Sequence, residues 1–149
     1  MRHSLVLIPL LIAAPAAADS YCDTLLGYTH DAPKNAIPTT TVEDRSGPQI
    51  VAQPSLEGAR CLVAPYNPTG VKDHPIEQSV YCYINASDDT HLKAFDDINT
   101  RVATCLGQSP RDDTFTQLLE YDTNYGTVRV SADQMTNDWA ISITVMPQD

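Results

Sequence analysis

The chain has 149 residues, with 19 acidic side chains against 9 basic ones, a net charge of −10 and four cysteines. That charge excludes nucleic acid and anionic lipid as partners, because both are polyanions. It suits a dispersed exported protein, or one whose partner is basic.

Met1 to Ala18 reads as a secretory signal peptide of bacterial Sec type. Arg2 supplies the basic start, Leu5 to Ala14 the apolar stretch, and Ala16-Ala17-Ala18 the small-residue cleavage site. Asp19 stands where a lipoprotein would have cysteine, and no later apolar run is long enough to span a bilayer. The expectation is a periplasmic or secreted chain with no membrane association after cleavage. Residues 19–149 then form a single domain, and losing Arg2 takes its net charge from −10 to −11.

Ser20 to Tyr28 reads as a short helix carrying Cys22, with Ser20 as cap and Asp23 three residues on. The segment 32–58 is rich in Pro and Thr, and Pro33, Pro38, Pro48 and Pro54 punctuate it. It reads as irregular, with at most one short strand at Gln49 to Gln53. Ala59 to Pro65 and Ser79 to Asn85 are β-rich runs that make an antiparallel pair across a long connection.

The main helix follows. Leu92, Phe95, Ile98, Val102, Cys105 and Leu106 recur at steps of three and four, forming one apolar stripe. Ser87 or Asp88 is positioned to cap it, Gly107 to stop it, and Lys93, Asp96, Asp97, Asn99 and Arg101 to face water. Three strands come after it: Thr114 to Tyr121, Thr127 to Ser131 and Trp139 to Val145. In the last, Trp139, Ile141, Ile143 and Val145 point inward while Ser142 and Thr144 point out, the pattern of a sheet wet on one face. The fold class is therefore α+β: one main amphipathic helix on a mostly antiparallel sheet of about five strands, a short N-terminal helix, and two disulfides.

Four cysteines in an exported chain imply two bridges, and no Cys-x-x-Cys spacing suggests a redox or zinc site. If the helix runs back antiparallel to the strand feeding it, Cys105 lies ~25 Å from the helix start at about 1.5 Å per residue. Cys82 lies only ~10 Å back from its strand end at about 3.3 Å per residue. Bridged cysteines need Cα atoms within ~7 Å, which disfavours Cys82–Cys105. Cys61 and Cys82 face each other across adjacent strands, leaving Cys22 for Cys105.

The sequence assembles no active site. There is no nucleophile elbow, and bridged cysteines are not nucleophiles. His74 beside Asp73 is the best general base, and nothing in the sequence converges on it. His91 near Asp88, followed by Asp96 and Asp97, lacks any metal-ligand spacing. Adjacent Asp112 and Asp113 point to opposite faces of a strand, so they do not make a glycosidase pair; Glu120 and Asp122 share a face at a wet turn. No catalytic residue, metal or cofactor is expected. Tyr81 and Tyr83 share the strand face opposite Cys82 and read as tyrosines at the sheet rim; Tyr66 and Tyr125 fall in loops. Tyr66, Tyr125, Asp112 and Asp113 are the candidate protein contacts, aromatic side chains burying large area at low entropic cost. The function expected is protein binding, as an inhibitor or immunity protein against a basic envelope-acting enzyme. The alternatives are a periplasmic hydrolase or a structural or secretion-accessory envelope protein.

Overall fold

The computed structural model describes residues 20–67, 70, 72–73, 75–111 and 117–148; the expected signal segment 1–18, His74, Asp112 and Asp113 lie outside them. The architecture is α+β, with two helices on one side of an antiparallel sheet. The sheet has seven strands, not five: β1 (Thr39–Asp44), β2 (Gly47–Ala52), β3 (Arg60–Tyr66), β4 (Glu77–Ala86), β5 (Leu118–Thr123), β6 (Gly126–Gln134) and β7 (Trp139–Pro147), in the order β1-β2-β3-β4-β7-β6-β5. Helix α1 spans Ser20–Asp31, continued by a 3-10 turn at Ala32–Lys34, and α2 spans His91–Leu106.

The two extra strands lie in the Pro- and Thr-rich segment: β2 answers to the one short strand allowed at Gln49 to Gln53, and β1 falls where irregular chain is expected. Thr39 to Val42 is a β-branched run, and β-branched side chains suit a pleated surface. The Asp44 carboxylate then accepts hydrogen bonds from the Ser46 N–H at 2.7 Å and Oγ at 2.8 Å, folding the chain into a hairpin. The prolines fall where they do not interrupt it. Pro38 precedes β1, Pro54 follows β2, and Pro48 lies away from Val51↔Leu62, where β2 meets β3.

Side-chain alternation sets the core. Cys61 and Val63 on β3, Val80 and Cys82 on β4, Tyr121 on β5, Val128, Val130 and Ala132 on β6, and Ile141, Ile143 and Val145 on β7 share one face. Tyr21, Leu25 and Tyr28 of α1 and Phe95 and Val102 of α2 close over them. Each such aliphatic side chain, fully buried, contributes ~1.5–3 kcal/mol. Gly126 is required: a Cβ there would sit 2.1 Å from the Met146 carbonyl oxygen, and its φ is +144°. Gly107, at φ +65°, ends α2 with its N–H directed at the Ala103 and Thr104 carbonyls.

Four expectations are corrected here. Helix α2 starts at His91 after Thr90, without a side-chain cap, because Ser87 Oγ hydrogen bonds with Thr90 Oγ1 at 2.9 Å and Asp88 is drawn to Trp139. Leu92 is 55 % exposed, since the sheet beneath the first turn of α2 is covered by Trp139 stacked on His91. Asn99 and Arg101 are not simply solvated. Asn99 receives the Tyr121 hydroxyl, and Arg101 lies 3.9 Å over the Tyr21 ring and 3.0 Å from Glu57. Ser142, expected to be wet, is 2 % exposed, because Tyr83 and Ser131 flank it in register and its Oγ meets Ser131 Oγ at 2.7 Å.

The bridges are Cys22–Cys105 and Cys61–Cys82, the nested pairing that strand and helix geometry select. Cys61 and Cys82 are directly opposed in the β3–β4 ladder and fully buried. Cys22–Cys105 ties α1 to the end of α2. Two structural bridges suit an oxidising, extracytoplasmic compartment. Among the described residues no helix is long and apolar enough to cross a membrane.

Candidate functional site

Both helices pack on one face of the sheet, and among the described residues no helix covers the other. A single row of that open face crosses all seven strands: Thr40, Val51, Leu62, Tyr81, Thr144, Arg129 and Glu120, each directly opposite the next. The adjacent row carries Arg60, Tyr83, Ser142, Ser131 and Leu118. Because Cys82 must point into the core to reach Cys61, alternation forces Tyr81 and Tyr83 outward. Their rings lie 5.9 Å apart and tilted by 32°, and Tyr81 is 39 % exposed at the middle of the sheet.

Two ion-pair clusters frame this aromatic centre. On the β5 side, Arg129 donates to Glu120 Oε1 through Nε at 2.8 Å and Nη2 at 2.5 Å, and Arg111 holds Oε2. The hydrogen bonds from Arg129, more than the opposing desolvation, hold the Glu120 carboxyl below the usual range. On the β1 side, Arg60 Nη2 donates to Asp44 at 3.2 Å and to Gln49 at 2.5 Å. The hydrogen bond from the Ser46 N–H is the main cause that keeps Asp44 below its ordinary value. The face is thus aromatic at its centre, with Glu120 and Asp44 paired to arginine on either side. Glu77 Oε2, on the same face opposite Tyr66, is buried without a hydrogen-bond partner among the described residues, and the Asp133 carboxylate accepts from Ser131 Oγ at 2.8 Å.

The face is also indented. A hollow of about 450 Å³ is lined by Tyr66, Thr127, Arg129, Met146, Pro147 and Gln148. That volume lies within the ~300–1,000 Å³ of ordinary ligand pockets. Tyr66 ends β3 opposite Glu77 instead of sitting in a loop, and its parity puts it on the open face with Leu62. Tyr125 does lie in a turn, between β5 and β6, but its ring meets His30 of α1 edge-on at 5.3 Å, on the helix side. The two tyrosines therefore belong to different surfaces.

The other candidates do not converge. Asp73 is exposed in a turn, while its expected partner His74, like Asp112 and Asp113, lies outside the described residues. His91 donates from Nδ1 to the Asp88 carbonyl at 2.7 Å and stacks on Trp139 at 3.8 Å, and the Trp139 indole N–H donates to the Asp88 carboxylate at 2.6 Å. These three groups fasten the start of α2 to β7. Among the described residues no group of three His, Cys, Asp or Glu side chains is placed to hold a metal ion. Glu120 and Asp122 both face Arg111, Asp122 at 3.7 Å from Nε, so they belong to the ion-pair cluster.

Of this face, the sequence offers Tyr66 as a candidate contact and places Tyr81 and Tyr83 opposite Cys82, as tyrosines at the sheet rim. Arg129 and Met146 were missed, because nothing local marks them until β6 and β7 lie side by side. No family model matches the chain, and no curated protein or solved structure does.

Proposed function

We propose that the protein is a small exported binding module that docks another protein on its open sheet face, in the manner of an inhibitor or immunity protein against a basic envelope-acting enzyme. The observation that carries this reading is the uncovered face of a seven-stranded sheet with Tyr81 and Tyr83 at its centre. Six strand spacings of ~4.8 Å by some six residues at ~3.3 Å make a platform of ~600 Å². A standard interface needs ~800 Å² per partner, so the platform with its bordering loops is of the right size. Paired aromatics at the centre of a platform, ringed by polar groups, have the composition of an interface hot spot.

The charge chooses the partner. A net charge of −10, or −11 without the leader, accelerates encounter with a basic surface and repels an acidic one. The test is capture from the native envelope extract over a salt series, with the parent protein beside Tyr81→Ala/Tyr83→Ala. A basic protein should be retained at low salt, released as salt rises, and lost with the double variant, whose circular dichroism should match the parent. Absent or salt-independent retention, or retention by the variant, would overturn the reading.

A further inference from the structure

A second hollow lies on the helix side, away from the sheet face. It measures about 260 Å³ and lies between α1 and the segment following β2. Its helix wall is Asp23, Thr24, Gly27, Tyr28 and Asp31, a stripe at steps of three and four, and Ile37, Pro38 and Pro54 close it. At less than the ~300 Å³ of the smallest drug-sized pockets, it fits one side-chain-sized group.

The glycine is the informative residue. Glycine is the weakest helix former after proline, and Gly27 sits inside α1 with ordinary helical backbone. A Cβ added there would meet nothing within 4 Å, so packing does not demand glycine. Its one structural effect is to keep the floor of the hollow open. The walls are preformed, because the Tyr28 hydroxyl donates to the Pro54 carbonyl and so ties helix to loop.

The ends of the hollow carry charge of one sign. Asp23 and Asp31 stand eight residues apart on α1, ~12 Å along its axis, with Gly27 midway. The Asp23 carboxylate makes no hydrogen bond or ion pair among the described residues; Asp31 Oδ1 meets His30 Nδ1 at 2.7 Å, and Lys34 Nζ turns to His30 Nε2 at 2.5 Å. Apolar walls between carboxylates favour a cation with a short apolar stem, since burying the stem and pairing the head act together. We propose that this hollow binds the end of an alkylguanidinium or alkylammonium group.

The test is a titration of the 15N-labelled protein, followed by amide chemical shifts, with n-butylguanidinium, n-butanol and butyrate in parallel. The amides of Thr24, Gly27, Tyr28 and Ile37 should shift saturably with n-butylguanidinium at a Kd of ~1 mM, at least tenfold more weakly with butanol, and not with butyrate. Gly27→Leu, which retains a strong helix former, should fill the hollow and abolish the response; Asp23→Asn should weaken it at least threefold. No saturation by about 50 mM, equal response to butanol, or an undiminished response in Gly27→Leu would overturn the proposal. Free cations and arginine side chains share this chemistry. Acetyl-Gly-Arg-Gly amide separates them: tighter binding than n-butylguanidinium assigns the site to a peptide side chain, weaker binding to a free cation. None of these residues lies on the open sheet face, so failure here leaves the docking reading untouched.

Discussion

The two bridges should make unequal contributions, and the inequality can be worked from their places in the fold. Cys22 and Cys105 are 83 residues apart in sequence, Cys61 and Cys82 only 21. Closing the longer loop restricts the unfolded chain by ~4.5 kcal/mol at 25 °C, and the shorter by ~3.3 kcal/mol, on the chain-entropy account. Replacing Cys22 and Cys105 by alanine should therefore lower the melting temperature by ~15 °C for a domain of this size. Access separates the bridges further. Cys61 and Cys82 are fully buried, while Cys22 and Cys105 are half-buried between the helices. A mild thiol reductant under native conditions, followed by alkylation and peptide mass mapping, should open Cys22–Cys105 first and leave Cys61–Cys82 intact until global unfolding. Thermal melting of the alanine pair supplies the magnitude. A variant melting within about 3 °C of the parent, or first cleavage at Cys61–Cys82, would refute the claim that the long-range bridge holds the helix layer to itself.

Three further outcomes are expected. Glu120 has its folded pKa depressed by Arg129 and Arg111, so its contribution is present above the unfolded value of ~4.3 and is lost as pH falls through the folded value; denaturant midpoints measured from pH 7 to 3 should fall, and Glu120→Gln should flatten that fall. Burial raises Tyr28 to about 12, so stability should decline as pH climbs from the ordinary tyrosine value of ~10 toward that figure, and Tyr28→Phe should blunt the decline in an alkaline melt. Gly27→Ala should stabilise the protein by ~1 kcal/mol, raising its melting temperature by ~4 °C, because the added methyl meets no atom and removes a weak helix former; a lower melting temperature would show that α1 needs glycine for its own packing.

Local pattern determined much of this protein. The apolar stripe from Phe95 to Leu106 made α2, the alternation from Ile141 to Val145 made β7, and strand and helix rise were enough to pair four cysteines. These signals are legible because each is carried by neighbours along the chain. The β1–β2 hairpin was obscured because prolines were read as breakers; only the ladder shows that Pro38 and Pro54 stand outside it and that Pro48 lies clear of the Val51↔Leu62 pairing. Leu92 read as core by spacing, yet Trp139, 47 positions later in the chain, takes its place over the sheet. Tertiary structure alone decided the surfaces. Which sheet face stays uncovered depends on where α1 and α2 both dock, and the Tyr66–Arg129–Met146 hollow exists only because strands distant in sequence become neighbours. The room beside Gly27 likewise depends on a loop some 26 residues away, tied back by the Tyr28 hydroxyl. Periodicity encodes which side of an element is apolar; it carries no information on which apolar side finds a partner.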